Sequence, residues 1–184
     1  MKITTTLATA VFIATTSSVS ADVIVDRAIS EDQVLMAQKA WCDALINISK
    51  THTMQGQAAA SALAEKVIDS AYGYQLGVVL FKPTLTVNPQ TFRTTREGAL
   101  AYFVGGNPAY PDDDGFALNG WTKCEIDNSA ILIIGNSAST MGKVNLTDKN
   151  GNVTSVDKTW QFVKDDKGQL RIVLHNSSLE FTGN

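Results

Sequence analysis

The sequence predicts an α+β fold, in which three helices from the N-terminal half pack on a strongly curved mixed or antiparallel sheet. Two observations carry this prediction. Apolar residues recur at helical spacing in the first part of the chain, and from Trp121 onward long strand-like segments alternate with short turns. Helices followed by a strand meander are typical of α+β proteins. The hydrophobic fraction of 44% and the charged fraction of 18% fit one globular domain.

The first 21 residues are expected to be a targeting segment. Lys2 supplies the positive start, residues 3–16 carry no charge, and Val19-Ser20-Ala21 matches the small-residue pattern before a cleavage site. The uncharged stretch is too short and too rich in threonine to span about 30 Å of hydrocarbon. We therefore expect a signal peptide cleaved after Ala21, one domain over residues 22–184, and a periplasmic or secreted bacterial location, with no membrane association after cleavage.

The first two helices have clear local signals. Ser30 and Gln33 form a capping box, which predicts a helix over residues 31–50. After a polar link, a second amphipathic helix is marked by apolar residues from Ala60 onward. Gly73 is expected to end it, because glycine tolerates the positive φ of a helix terminus.

The middle of the chain predicts shorter elements. The apolar run Val78–Phe81 reads as a short strand, and Thr91–Arg93 as a second one. Thr94 and Glu97 lie three residues apart and predict another capping box, which begins a short helix.

Four long strands complete the predicted fold. The first is expected to bulge near Asn128, and Asn150-Gly151 favours a tight turn. The strands are expected at Trp121–Ile134, Ser137–Thr147, Val153–Lys164 and Leu170–Phe181.

The run Ile131–Ile134 predicts self-association. Successive strand residues point to opposite faces, so four apolar residues in a row bury both faces of the sheet. The helices cover one face, and a second copy of the chain is the simplest cover for the other. We expect a homodimer formed through the sheet.

Three stretches together carry a resemblance to a known superfamily. They are Trp41, the segment Val79–Thr84 with Phe92-Arg93 and Ala101–Phe103, and the ending Asp165–Ser178. The chain resembles the nuclear transport factor two-like (cystatin-like) superfamily. Within it, the chain is most similar to the association-domain group of calcium/calmodulin-dependent kinases, the polyketide-cyclase-like group and their secreted bacterial members. The resemblance implies a cone with an internal pocket, which serves isomerases, dehydratases, cyclases, ligand-binding proteins and assembly domains.

The resemblance and the strand pattern select the predicted ligand-binding residues. Lys158 shares a strand face with apolar residues, so it either holds an anionic ligand or extends to the edge of the sheet. Arg93 stands where the superfamily has an arginine at the pocket mouth, and it binds either a carboxylate ligand or a neighbouring acid. The hydroxyl of Tyr102 could point into the pocket. In the last strand, where relatives often have several histidines, this chain has His175 followed by Asn176.

His175 is the candidate catalytic residue. Its side chain can exchange a proton near neutral pH, although a structural role is the common one for a lone histidine. Strand alternation predicts that it faces the same way as Arg171 and Val173. The sequence shows no carboxylate at a fixed spacing that would orient it.

Several classes of site lack their sequence signals. The cysteines and histidines have no metal-ligand spacing, and Asp112–Asp114 lacks the rest of a calcium loop, so a solvated loop is expected there. We expect no metal. No nucleotide-binding or hydrolase motif is present, and no cofactor is expected. The net charge of −3 argues against a nucleic-acid partner.

Cys42 and Cys124 are expected to form a disulfide. They are the two cysteines of the chain, and export delivers proteins to an oxidising compartment. The alternative is a pair of buried free thiols.

The sequence leaves two classes of function open. The main interpretation is a secreted domain without chemistry, which binds a small acidic molecule near Arg93 and Lys158 or serves as an assembly domain. The alternative is an isomerase-type or dehydratase-type enzyme that uses His175 as general acid and base.

Overall fold

Three helices pack on a five-stranded mixed sheet, as a computed structural model of residues 28–183 shows. The predicted α+β class is confirmed. The helices are α1 (Glu31–Gln55), α2 (Gln57–Ala71) and α3 (Arg96–Val104). The strands are β1 (Leu80–Lys82), β2 (Trp121–Ile134), β3 (Ser137–Asp148), β4 (Val153–Lys164) and β5 (Leu170–Leu179).

The predicted signal peptide of residues 1–21 lies outside the described residues. Within residues 28–183, no helix is both long enough and apolar enough to cross a bilayer.

Helix α1 begins at the predicted cap and continues past its predicted end. The Ser30 side chain accepts a hydrogen bond from the Gln33 amide, and the Gln33 side chain accepts one from the Ser30 amide. The helix runs beyond Lys50 to Gln55, because polar residues on an exposed helix face do not interrupt it. Gly56, at φ 82°, ends α1 and directly precedes α2.

The sheet has the strand order β1-β5-β4-β3-β2. Its neighbouring strands are antiparallel except for β1, which runs parallel to β5. The predicted bulge lies in β2 between Asn128 and Ala130. A second irregularity between Gln161 and Phe162 disturbs the pairing of β4 with β5. Bulges bend a strand and increase its twist, so these two irregularities help the sheet curve around the helices.

The segment before α3 differs from its prediction. Residues 91–93 form a loop instead of a strand, although the Arg93 amide still donates to the Phe81 carbonyl at 2.8 Å. The cap of α3 is Thr95 instead of Thr94, and its side chain accepts from the Gly98 amide. The Arg93 side chain is buried, which draws this segment inward and out of strand geometry.

The predicted disulfide is present and joins α1 to β2. Cys42 and Cys124 have their Cα atoms 5.5 Å apart, and their separation along the chain is 82 residues. A crosslink over such a long span restricts the unfolded chain strongly, by about 4–5 kcal/mol in the chain-entropy model.

The run Ile131–Ile134 is divided between the two faces of β2. Ile131 and Ile133 are partly buried against the core, whereas Leu132 and Ile134 are 59% and 67% exposed. The homodimer stays a prediction, and the exposed pair is the one available to a second copy.

Candidate functional site

A continuous chain of hydrogen bonds crosses the buried centre of the fold. The Lys158 amine lies 2.8 Å from Nε2 of His175, and Nδ1 of His175 lies 2.8 Å from the Tyr72 hydroxyl. The Trp41 indole N–H donates to the same hydroxyl at 3.0 Å. All four side chains are buried. A polar chain of this kind within an apolar core is the main candidate site.

Strand pairing explains how these residues meet. His175 on β5 lies opposite Trp160 on β4, and Lys158 lies opposite Ser177. Tyr72, which directly follows α2, pairs with Ile172 in an isolated β-bridge. This pairing brings the Tyr72 hydroxyl to His175. The site therefore depends on pairs of residues that are far apart in the sequence.

The prediction that His175 shares a strand face with Arg171 and Val173 was wrong. The irregularity in the pairing of β4 with β5 changes the alternation, so Phe162 pairs with Ile172. Ile172 is buried on the face that His175 occupies, and Val173 is only partly buried. Simple alternation fails here because a bulge inserts one extra residue into a strand.

Burial sets the charge states of the hydrogen-bonded side chains. The pKa of His175 is held well below its ordinary value by desolvation and by the nearby Lys158, so the imidazole is neutral. Desolvation raises the pKa of Tyr72 and keeps its hydroxyl protonated. Desolvation, with a smaller effect of the charge on Lys82, lowers the pKa of Lys158 to about 7. Lys158 is therefore a buried amine that can change charge near neutral pH.

Two indole rings also touch this amine. The Nζ atom of Lys158 lies 4.8 Å from the ring centroid of Trp41 and 5.4 Å from that of Trp160. Indole faces attract a cation, so they favour the ammonium form and oppose the desolvation penalty.

Three hydroxyls gather around Ser177, the cross-strand neighbour of Lys158. The Thr84 and Ser177 hydroxyls are 2.6 Å apart, and Ser177 is the cross-strand neighbour of Lys158. The Tyr102 hydroxyl is buried close to Thr84 without a hydrogen bond of regular geometry, and desolvation raises its pKa. Lys82 donates to the Ser177 carbonyl at 2.8 Å. Three hydroxyl groups and two amines thus meet in one small region.

Sequence reasoning missed several members of this site. No site role was predicted for Thr84 or Ser177. The available signal was strand alternation, which places Ser177 two residues after His175 and on the same face. The contact between Thr84 and Ser177 had no sequence signal, since it depends on the pairing of β1 with β5.

Arg93, which was predicted to bind a ligand or a neighbouring acid, forms a salt bridge with Asp113. Its Nε and one terminal nitrogen donate to the Asp113 carboxylate at 3.2 and 2.8 Å. A further nitrogen donates to the Gln90 carbonyl, and the Tyr110 ring covers the guanidinium at 4.7 Å. The salt-bridge alternative for Arg93 is the one that the structure shows. Asp113 is buried, so the solvated loop expected for residues 112–114 was wrong at this position.

The predicted residue Asn176 lies apart from the cluster. It is exposed, whereas its neighbour His175 is buried, because consecutive strand residues face opposite sides. Within residues 28–183, the structure brings together no group of three or more histidine, cysteine, aspartate or glutamate side chains that could hold a metal ion.

Three helices packed on a five-stranded mixed sheet are an α+β architecture, and proteins of the nuclear transport factor two-like fold are among its structural neighbours. Two solved structures are similar at the level of the fold alone. One is described as a calcium/calmodulin dependent protein kinase II association domain from Xanthomonas campestris, with 23% identity, a TM-score of 0.51 and coverage of 84% of this chain and 91% of that one. The other is described as a ketosteroid isomerase from Parabacteroides distasonis, with 12% identity, a TM-score of 0.51 and coverage of 86% and 98%.

Closer similarities identify the family. The model of the family described as "Metal-independent carbonic anhydrase" matches residues 32–179. A metal-independent carbonic anhydrase from Nostoc sp. is 65% identical over 158 residues, which are 86% of this chain and 77% of the relative. A crystal structure of the iota-carbonic anhydrase from a cyanobacterium, complexed with bicarbonate, is 62% identical with a TM-score of 0.86, and covers 89% of this chain and 100% of that one. The chain belongs to the metal-independent carbonic anhydrase family.

This membership corrects two predictions. The predicted fold was correct, but the kinase association-domain group is similar to this chain in fold alone, at 23% identity, and the carbonic anhydrase family was not predicted. The main interpretation, a domain without chemistry, was wrong, because the family is one of enzymes with a defined reaction. The findings agree better with the enzyme alternative.

Proposed function

We propose that this protein interconverts carbon dioxide and bicarbonate without a metal ion. The observation that carries the proposal is the similarity to a structure that binds bicarbonate, at 62% identity over 89% of this chain. The concentration of buried and partly buried hydroxyl and amine groups around Ser177 supports it independently.

The three hydroxyls of Thr84, Tyr102 and Ser177 are suited to hold a small oxyanion. Bicarbonate has three oxygens in a plane, and the Thr84, Tyr102 and Ser177 hydroxyls can each donate a hydrogen bond. The positive charge on Lys82 lies next to Ser177 and favours an anion at this place. Aromatic rings pack around the site, so an apolar carbon dioxide molecule meets a compatible surface.

The arrangement also serves the chemical step. In hydration, a water oxygen attacks the carbon of carbon dioxide, and negative charge develops on the carbon dioxide oxygens. Hydroxyl donors that are already in place stabilise this charge without reorganisation. The water must at the same time lose a proton. The candidate bases are the buried Lys158 amine, on the strand paired with that of Ser177, and the buried His175 imidazole, on the strand of Ser177 itself.

The test is carbon dioxide hydration by stopped-flow measurement on protein treated with a chelator, with residual metal measured by mass spectrometry. Hydration above the uncatalysed rate is expected in the treated protein. Ser177→Ala removes one donor, and we expect kcat/KM to fall by about 100-fold or more. Ser178→Ala is the matched control, because Ser178 is the next residue and points to the other face.

Two results would contradict this function. One is a chelated wild-type protein that hydrates carbon dioxide no faster than buffer. The other is a Ser177→Ala variant that is as active as Ser178→Ala. That result would show that the reaction does not depend on the Ser177 hydroxyl.

We also propose that the protein is exported after cleavage behind Ala21. The targeting pattern of residues 1–21 and the disulfide between Cys42 and Cys124 support this proposal together, since structural disulfides persist in oxidising compartments. Intact mass of protein from a bacterial periplasm is expected to correspond to a chain that begins at Asp22. A mass that retains the first 21 residues would contradict the proposal.

A further inference from the structure

Both ring nitrogens of His175 are occupied. Nδ1 contacts the Tyr72 hydroxyl and Nε2 contacts the Lys158 amine, each at 2.8 Å. Phe81 stacks on the ring with a centroid distance of 4.5 Å. The imidazole therefore has no nitrogen left for a substrate in this arrangement. The amine of Lys158 is the end of this series of hydrogen bonds. Lys158 is the cross-strand neighbour of Ser177, and the charge on Lys82, which donates to the Ser177 carbonyl, acts on it.

The hydrogen bonds can be counted for a neutral Lys158 amine. In one arrangement, Nε2–H of His175 donates to the amine nitrogen, Nδ1 accepts from the Tyr72 hydroxyl, and this hydroxyl accepts from Trp41. Every polar atom of the chain then has a partner. With a neutral imidazole and a neutral amine, each of these nitrogen and oxygen atoms takes part in at least one hydrogen bond.

The count changes when Lys158 carries an ammonium. The ammonium has no lone pair, so it donates to Nε2, and the proton of the neutral imidazole must sit on Nδ1. The Tyr72 oxygen then accepts from both His175 and Trp41, and its own proton has no acceptor among the contacts of residues 28–183. An unpaired buried donor is costly, so the hydrogen bonds favour the neutral amine while the indole rings favour the ammonium.

The charged and titratable groups around the amine come from several elements. His175 comes from β5, Tyr72 from the end of α2, Lys82 from β1 and Tyr102 from α3. Among the described residues, none of the ion pairs joins Lys158 to a carboxylate. No carboxylate of the described residues therefore holds the amine in its charged form by an ion pair.

We propose that the Lys158 amine accepts the proton of water during carbon dioxide hydration, and that His175 holds this amine in position instead of taking the proton itself. The inference rests on the proposed function. In the reacting form, an amine N–H donates to Nε2 of His175 and Nδ1–H donates to the Tyr72 oxygen, so the amine lone pair is free. The oxygen of water forms a bond to carbon, one O–H bond of that water breaks, and its proton joins this lone pair. Bicarbonate and a Lys158 ammonium result, and the ammonium then returns its proton to solvent or buffer.

The amine and the imidazole are distinguished by pH profiles of hydration. A proton acceptor must be unprotonated, so kcat/KM of the wild-type protein should fall as the pH decreases through about 7. Lys158→Met should lose about 100-fold in kcat/KM and lose this dependence on pH. His175→Gln keeps a polar group next to the amine, so it should retain the dependence on pH even where its rate is lower.

Lys164→Met is the matched control for the lysine. Lys164 is also a buried lysine of β4, but its amine donates to the Ala28 carbonyl, outside the site. We expect this variant to keep the wild-type pH profile. If Lys158→Met keeps that profile as well, or if His175→Gln alone abolishes it, the proposal is overturned.

A second measurement needs no variant enzyme to be active. In wild-type protein with ¹³C-labelled lysine, the Cε signal of Lys158 should titrate near pH 7. A midpoint above pH 9 would overturn the proposal. A wild-type protein without hydration activity would overturn the proposed function, whereas hydration with an unchanged profile in Lys158→Met would overturn only the role of the lysine.

Discussion

Arg93 and Lys158 are both buried cationic side chains, with 2% and 5% of their surfaces exposed, but they have opposite surroundings. Arg93 is paired with the Asp113 carboxylate through two hydrogen bonds. Lys158 has a neutral imidazole and two indole rings instead of a carboxylate. The arginine keeps its charge, whereas the charge on the lysine depends on pH.

The difference separates a structural role from a chemical one. A guanidinium does not lose its proton in a protein, so burying it requires a permanent counter-charge. A lysine amine can lose its proton, and burial without a counter-ion brings its pKa toward neutrality. We interpret the pair at Arg93 as an anchor for the loop that carries Asp113, and Lys158 as the group that takes part in chemistry.

The largest effect is expected from Asp113→Asn. This variant leaves the Arg93 charge buried without compensation, which should lower the free energy of unfolding by about 3–5 kcal/mol. Urea denaturation measures the loss. Asp112→Asn is the control, because Asp112 is exposed in the same loop. Equal stability of the two variants would show that Asp113 does not compensate the arginine.

Lys158→Met is expected to raise the free energy of unfolding, whereas Asp113→Asn lowers it. The pKa of Lys158 is about 7 in the folded protein, against an ordinary value of 10.5 in the unfolded chain, so between these values the unfolded chain holds a proton that the folded chain lacks. The stability of the wild-type protein therefore rises with pH across this window. The variant should be more stable by about 1–4 kcal/mol at pH 6, and this advantage should shrink toward pH 10.

Denaturant titrations at several pH values test this sign. A Lys158→Met variant that is less stable than the wild-type protein at pH 6, or whose advantage does not change with pH, would remove the contrast with Arg93. Lys164→Met again serves as the control for removing a buried lysine of β4.

A smaller effect is expected from Lys82→Met. The charge on Lys82 lowers the pKa of Lys158, so its removal should raise that pKa and move the pH profile of hydration to higher pH. Lys143→Met is the control, because Lys143 is exposed and pairs with Asp157 and Glu180. The two midpoints can be compared directly, and a shift to lower pH in Lys82→Met would be the wrong sign.

Substitutions at Leu132 and Ile134, on the outer face of the sheet, are expected to have the smallest effect on the surroundings of Arg93 and Lys158. We propose that Leu132 and Ile134 contact a second copy of the chain, within an interface of about 1,600 Å². Replacing both by lysine should produce monomers in light scattering while leaving the pH profile unchanged. A wild-type protein that is already monomeric at micromolar concentration would contradict this assembly.

Local chemistry made much of the fold predictable. The cap at Ser30, the bulge near Asn128 and the bounds of β2 and β4 follow from residues that are close in sequence. The disulfide was predicted from the two cysteines of the chain and from the expectation that the chain is exported. Predictions failed where distant contacts decide the geometry, as at residues 91–93, whose strand pattern yields to the burial of Arg93.

The sequence by itself determined which groups with useful chemistry the protein has, including Lys158, His175 and Tyr102, and that two of them lie on neighbouring strands. Only the tertiary structure decided their roles. The parallel pairing of β1 with β5 brings Thr84 to Ser177, and the end of α2 brings Tyr72 to His175. The charge of a buried amine depends on its distance from water and from a counter-ion, and those distances exist only in the folded chain.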